Sequence, residues 1–372
     1  MSAQRTVRIL GTHGVPANYG GFETAAENVA KYLVAQGWRV IVYCQVDGEG
    51  KVYEDVWNGI ERVNIPVPNE GWIGTSRFDL LSIKHASQFR DVCLTFGYNT
   101  AVFNTWQRIK GIPNVINMDG IEWSRERWGK FRQAILYVNE RIACFVGNTL
   151  IADHPEIERY LLTRARGRKI ETITYGAHPV GDVGNSECAT YGLTPGKYVS
   201  LVARPIPENS ILEIVQGFTR RDREIDLLVL GNYDPANDDY HAAVMNAADE
   251  RVKFPGGIYD PNIVQQLRFN SLAYLHGHTV GGTNPSLVEA LAAGNPVIAH
   301  GNPYNRWVAG DAGLYFSDAR DVDAHLTRLI DEPELRAQLS RAAVERYNEE
   351  FTWDHVAGQY EEVLNRYVGI VK

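Results

Sequence analysis

The sequence predicts an α/β protein made of two parallel-sheet domains, and three observations carry that reading. The chain has 372 residues, more than one hydrophobic core normally serves. Short apolar runs of strand length alternate along it with amphipathic stretches of helix length. Two glycine-rich loops, one near the start and one near residue 280, each stand between such a run and the helix that follows.

The first loop opens "GTHGVPANYGGFETAAENVA", residues 11–30. Val7–Leu10 before it reads as a buried strand. After it, Phe22, Ala25, Ala26, Val29, Ala30, Leu33 and Val34 make one helical face, and Gly37 closes the helix. Arg39–Cys44 is the next strand. In such units ligands bind beyond the C-terminal ends of strands, and a helix N-terminus there attracts anions. Gly11, Gly14, Gly20 and Gly21 lack the G-x-G-x-x-G spacing of a dinucleotide site. Two readings stay open. The glycines serve a wide turn with positive φ, or they let a ligand approach the backbone, with His13, Asn18 and Tyr19 beside it.

Further strands are expected at 61–67, 91–96, 114–118, 143–147 and 169–174, with helices at 78–89, 100–110, 128–142 and 155–164. The turn-rich stretch from Tyr175 to Lys197 marks a boundary. The second series has strands at 197–203, 226–230, 271–275, 296–299 and 313–316. Its helices are at 207–220, 260–269, 285–293 and 320–330. The tail, 333–347 and 353–368, reads as helical. The expected division is 1–177 and 178–352, with 353–372 able to pack back on the first domain.

Met1–Thr6 carries no apolar segment of a signal peptide, and no run of about twenty apolar residues could span a bilayer. Cys44, Cys93, Cys144 and Cys188 lack metal-ligand spacing and are expected to be reduced structural thiols of a cytosolic protein. Residues 1–178 hold 21 basic and 18 acidic side chains, whereas the remainder holds 16 and 27. Within the first part, Arg125, Arg127, Lys130 and Arg132 interleave with Trp123, Trp128 and Phe131, and a second cluster, "RARGRK", spans 164–169. This is either a solvated face or a surface for an anionic membrane or acceptor.

The second loop is the more informative. In "HTVGGTNPSLVEALAAGNPVIA", 278–299, Asn284 is a plausible N-cap and Pro285 the first helical residue. Leu287, Val288, Leu291 and Ala292 form the buried face. Glu289, one turn in, could accept two hydrogen bonds from a ribose diol. This segment resembles retaining glycosyltransferases of the GT-B type: two Rossmann-like domains facing each other across a cleft. The family carries Glu, seven residues, Glu, then a Gly-x-Pro-Val-Ile strand. Glu289 matches the second Glu, which holds the ribose. The first, which touches donor-sugar hydroxyls, is replaced by Gly281. "VARPIPENS", 202–210, resembles the family's Gly-Arg-x-x-x-Glu-Lys segment. Arg204 matches the Arg that clamps the diphosphate, and Asn209 stands where the family has Lys. Arg306 is a candidate replacement cation. With "GTHGVPANYGGFET" and "NMDGIEWSRERWGKF", the variants look most like the bacterial rhamnosyltransferase branch of cell-wall and capsular polysaccharide synthesis.

The resemblance implies an enzyme that moves a deoxyhexose, L-rhamnose from dTDP-rhamnose, to a lipid-linked sugar with retention. It implies a cytoplasmic protein peripheral at the inner face of the cell membrane. The donor would lie against Gly14, Gly20, Gly21, Arg204, Asn209, Gly282, Thr283, Asn284 and Glu289. His13, Tyr19, Glu122 and Trp123 are acceptor-side candidates. Asp119, ending a strand, either stabilises the transition state or caps the next turn, and Arg204 supports the leaving group. The partners expected are the nucleotide sugar, the lipid-linked acceptor and an anionic membrane, with no nucleic acid. No cofactor and no metal are expected: His276 and His278 have no third ligand nearby, and "NDDY", 237–240, reads as a polar loop or early helix. A hexosyl or N-acetylhexosaminyl transferase of the same fold and a sugar-nucleotide epimerase remain alternatives. A nicotinamide oxidoreductase is disfavoured by the missing glycine fingerprint.

Overall fold

A computed structural model describes residues 4–369 except Tyr19, Asn69, Glu126, Arg127 and Asp182. Two compact units result: 1–175 with 353–372, and 176–352.

Unit 1 runs β1 (Thr6–Leu10), α1 (Gly21–Ala35), β2 (Arg39–Asp47), β3 (Tyr53–Trp57), β4 (Ile60–Val67), α2 (Trp72–Ala86), β5 (Val92–Phe96), α3 (Thr105–Ile109), β6 (Asn114–Asn117), α4 (Lys130–Val146), β7 (Thr149–Ala152), α5 (Pro155–Leu162) and β8 (Ile170–Thr172). Its sheet has the order β3-β4-β2-β1-β5-β6-β7-β8. Only β3 runs antiparallel, against β4. The central strands are buried along their length, as a sheet covered on both faces requires.

Unit 2 continues with α6 (Ser186–Thr190), β9 (Tyr198–Val202), α7 (Ile211–Thr219), β10 (Asp226–Leu230), α8 (Asp239–Asn246), β11 (Val252–Gly256), α9 (Pro261–Phe269), β12 (Ala273–His276), α10 (Pro285–Ala292), β13 (Val297–His300), α11 (Pro303–Ala309), β14 (Gly313–Phe316), α12 (Ala319–Asp331) and α13 (Pro333–Glu350). Its sheet, β11-β10-β9-β12-β13-β14, is parallel throughout.

The last helix, α14 (Trp353–Asn365), belongs to unit 1. Trp353, Val356, Ala357, Tyr360, Val363 and Leu364 bury themselves in the core built by α1, β1 and β2. Asn117 donates from Nδ2 to the Tyr360 hydroxyl at 2.7 Å, tying this helix to the end of β6.

The strand expected at 143–147 is a correction: those residues are the last turns of α4. Ala143, Cys144 and Val146 are apolar and buried because they continue the helical stripe. The helix stops at Gly147, where a Cβ would stand 2.8 Å from Leu150 Cδ2 and 3.1 Å from the Ala143 carbonyl oxygen. The strand itself, β7, follows. Cys188 is buried in α6, and all four cysteines are buried and unpaired.

Candidate active site

Each sheet has one place where the chain leaves its first strand in one direction and later returns on the other side. Such a switch point opens a crevice at the strands' C-terminal ends. In unit 1 it lies between β1 and β5, in unit 2 between β9 and β12.

In unit 2, Arg204 follows β9, exposed. The loop after β12, from Gly277 to Asn284, lies against it. Thr279 donates to the Glu208 carbonyl from its amide and from Oγ1, each at 2.9 Å. A Cβ on Gly277 would sit 2.0 Å from the Asn209 carbonyl oxygen, so only glycine lets the two loops close. Asn302 and Asn305 each donate Nδ2 to the His278 carbonyl at 2.8 Å, which fastens the same loop to the start of α11. Three loops therefore converge on the N-terminus of α10.

At that terminus Asn284 Oδ1 accepts from Ser286 N at 3.0 Å, and Pro285 stands at the first position. Thr283 is buried and Gly282 half-buried beside it. Glu289, with 41% of its side chain exposed, lies 2.9 Å from Nη2 of the buried Arg268. That contact has ion-pair distance without hydrogen-bond angles, so the carboxylate is held yet keeps acceptor capacity.

Asn209 differs from the donor-contact role given to it. It is buried, and its Nδ2 donates to the Arg204 carbonyl at 2.8 Å, so it braces the Arg204 loop. Arg306 lies over the Tyr315 ring at 4.4 Å and donates Nε to Gly301 at 3.1 Å. His276 and His278 stack at 4.4 Å, and burial holds His276 well below the usual imidazole range. Asp238 caps α8, accepting from the amides of Tyr240 and His241.

In unit 1 the switch point holds a cavity of about 990 Å³. Its walls come from the ends of β1, β2 and β5 and from α2 and α4. His13, Gly20, Gly21 and Glu122 line it. Gly14, Asp119 and Trp123 are not part of its wall. Tyr19 lies outside the described residues.

Gly14 is a correction. It is buried at φ +108°, and a Cβ would stand 2.5 Å from Cys44 Sγ, so its glycine serves internal packing. Gly11 likewise faces the Phe96 carbonyl on β5, where a Cβ would be 2.2 Å away. The loop's amides are engaged by helix α1 itself. His13 N donates to Glu23 Oε1 at 2.9 Å and Ala17 N to Glu27 Oε2 at 2.6 Å. A buried carboxylate thus sits where a phosphate was expected, and like charge disfavours a phosphate there.

Asp119 sits in the left-handed region at φ +54°, its amide donating to Asn117 Oδ1 at 3.0 Å. Trp123 donates Nε1 to Glu140 and to the Tyr160 hydroxyl, at 2.9 and 3.0 Å. Arg125 is paired with Glu122 at 2.6 Å, so this part of the basic segment is internally neutralised. Arg127 lies outside the described residues.

The sequence reading missed Asp79. It lines the cavity from α2 and accepts from Thr100 Oγ1 at 2.8 Å, and burial pushes its carboxyl up to about 7. With Trp72, Phe22 and Trp128 around carboxylates and hydroxyls, the cavity offers both stacking faces and hydrogen-bond partners of a kind suited to a sugar.

Two parallel sheets, each with such a crevice, are the architecture of the GT-B fold. Residues 213–362 match a family described as glycosyl transferase-like. With the two-unit fold, that supports glycosyltransferase activity. Residues 4–178 match a family described as a domain of unknown function (DUF1972). No curated protein matches the chain.

Solved structures of the same fold include sucrose-phosphate synthase from Thermosynechococcus elongatus. It is 18% identical with a TM-score of 0.80, covering 98% of this chain and 99% of that one. HepE from Anabaena in complex with UDP is 15% identical with a TM-score of 0.75, covering 98% and 100%. A UDP-forming α,α-trehalose-phosphate synthase from Burkholderia xenovorans is 11% identical with a TM-score of 0.72, covering 97% and 100%. At these identities the likeness is one of fold.

Proposed function

We propose that the protein transfers L-rhamnose from dTDP-rhamnose to a lipid-linked sugar, with retention, in cell-wall or capsular polysaccharide synthesis at the cytoplasmic face of the membrane. Arg204 and the N-terminus of α10 neutralise the leaving diphosphate, so the transfer needs no bound metal. Glu289 holds the ribose. The acceptor sugar enters the cavity of unit 1, and Asp119, at the strand end of β6, steadies charge on the transferred sugar.

The observation that carries the choice of donor is Gly281. Its φ is +134°, a conformation that L side chains rarely adopt, and a Cβ there would meet nothing within 4 Å. The loop is shaped for glycine and leaves open space where the resembled family offers a carboxylate to hexose hydroxyls. A site without that acceptor discriminates weakly against a sugar lacking a hydroxyl, as a 6-deoxy sugar does. Gly281→Glu would fail through backbone strain.

HepE is described with UDP and with UDP-glucose, which makes a UDP-linked hexose the competing donor. The test is a donor panel with a lipid-linked sugar acceptor. Use of dTDP-rhamnose is the expected result. Use of UDP-glucose with dTDP-rhamnose idle would overturn the rhamnosyl reading. Turnover of a nucleotide sugar without any acceptor would point to an epimerase.

A further inference from the structure

Helix α4 buries one side and leaves an apolar stripe on the other. Phe131, Ile135, Val138 and Phe145 are 81%, 39%, 54% and 71% exposed. At 100° per residue these four positions fall within about 80° of one another on the helix. The stripe does not end with the helix. Val102, Trp106 and Ile109, on and before α3, are exposed too. The Val102 amide donates to Asn139 Oδ1 on α4 at 2.9 Å, which fixes the two segments side by side.

The charge around this stripe has one sign. Residues 101–110, 130–146 and 164–169 contain nine Lys or Arg and a single acid, Glu140. Glu140 is buried, where it accepts from Trp123 and Tyr160. Lys169 donates to the Cys144 and Phe145 carbonyls at 3.3 and 3.4 Å, so the 164–169 turn abuts the end of α4. Burial, then the nearby Arg108, Arg168 and Arg166, lower the Lys169 pKa. Arg108, Lys130, Arg141, Arg166 and Arg168 form no ion pair with a described carboxylate.

We infer that the outer face of α4, with α3 and the 164–169 turn, binds an anionic lipid bilayer. A row of large apolar side chains flanked by Lys and Arg is the pattern that enters the headgroup boundary of such a surface. A second copy of the chain fits it poorly, because a two-fold contact would set the same cations against each other. Phe131 and Ile135 also line the unit 1 cavity, so docking would hold the mouth of that cavity at the headgroups. The inference rests on the reading of a membrane-borne acceptor and moves the contact away from Trp123 and Arg125, which are engaged internally.

The test is co-sedimentation of the full chain with vesicles of phosphatidylglycerol and phosphatidylcholine, against phosphatidylcholine alone. Binding to the anionic vesicles only, weakening as salt rises, is the expected result. Phe131→Ser with Phe145→Ser, and separately Arg166→Ser with Arg168→Ser, should each weaken it about tenfold or more. Unchanged circular dichroism and unchanged nucleotide binding would show that the variants fold. Absence of vesicle binding by the parent protein, or binding indifferent to both variants, overturns the inference. So does a dimer in ultracentrifugation that the Phe131→Ser, Phe145→Ser variant dissolves, since the face would then be a self-interface. Vesicle binding without use of any lipid-linked sugar would leave the surface standing and remove the acceptor reading.

Discussion

The two glycine-rich loops read alike in sequence and differ in the structure. Both follow a parallel strand and both lead into a helix N-terminus. In unit 1 the helix brings its own acids: Glu23 and Glu27 take the loop amides of His13 and Ala17. In unit 2 the first turn of α10 holds no acid, Asn284 caps it, and Arg204 follows the neighbouring strand. The lesson is that glycines and a helix start do not make an anion site by themselves. The position of the first carboxylate decides it, because an acid in the first turn already holds the place a phosphate would take. On the proposed reading the donor diphosphate therefore falls to unit 2, and unit 1 is left to a neutral, hydroxyl-rich ligand.

The sharpest way to break this comparison is Arg204. Arg204→Ala should cut kcat/KM for the nucleotide sugar about a hundredfold or more, as for loss of one preorganised charge donor. Arg204→Lys should recover only part of it, since the planar fork is lost. A Lys variant with parental rates would contradict the assignment.

Glu289 comes next. Glu289→Ala should weaken nucleotide binding by about 1–3 kcal/mol in calorimetry, the scale of a charged hydrogen bond. It should also lower Tm, because Arg268 is buried and loses its partner. A lower Tm with unchanged affinity would mean that Glu289 serves Arg268 alone.

How much of this was readable in the sequence depended on range. The asparagine cap and Pro285 of α10 are local chemistry and stood where expected. Strands β10 and β14 were bounded by turn formers and kept the bounds read from them. Strand β3, antiparallel, at the sheet edge and largely exposed, has no apolar run to reveal it. The α4–β7 boundary was misplaced because an apolar helix end and a buried strand look the same over five residues. Glu23 looks like an ordinary first-turn acid until the loop folds back on it. Asp79 looks like a solvated helix residue in "SRFDLLSI". Only the sheet's switch point turns it toward a cavity.

Glu23→Ala probes the other side of the comparison. It should cost about 1–3 kcal/mol of stability, because the half-buried His13 amide loses its acceptor. Nucleotide affinity should not move. Tighter nucleotide binding would show that the unit 1 loop is a phosphate cradle after all.

The smallest effect expected, and the one most particular to unit 1, belongs to Asp79. Its folded pKa, about 7, lies above the ordinary carboxyl value because burial disfavours the charged form. Between the ordinary value and 7 the folded protein therefore keeps a proton that the unfolded chain has lost. By linkage, the stability of the parent falls as pH rises through that window and levels off above it. Asp79→Asn cannot ionise and still offers Thr100 an acceptor, so it should escape the loss. Urea unfolding of both proteins at pH 5 and pH 8 should show the variant gaining on the parent by about 1 kcal/mol, one pK unit's worth. The cavity is open to water, which keeps the figure small. The proton matters to the ligand as well: a neutral Asp79 can donate to a sugar oxygen, whereas an ionised one only accepts. Acceptor KM should then change across pH 7 in the parent and stay flat in Asp79→Asn. Parallel stability curves for the two proteins would show that Asp79 ionises as freely as a surface carboxylate, and the cavity would lose a neutral acid.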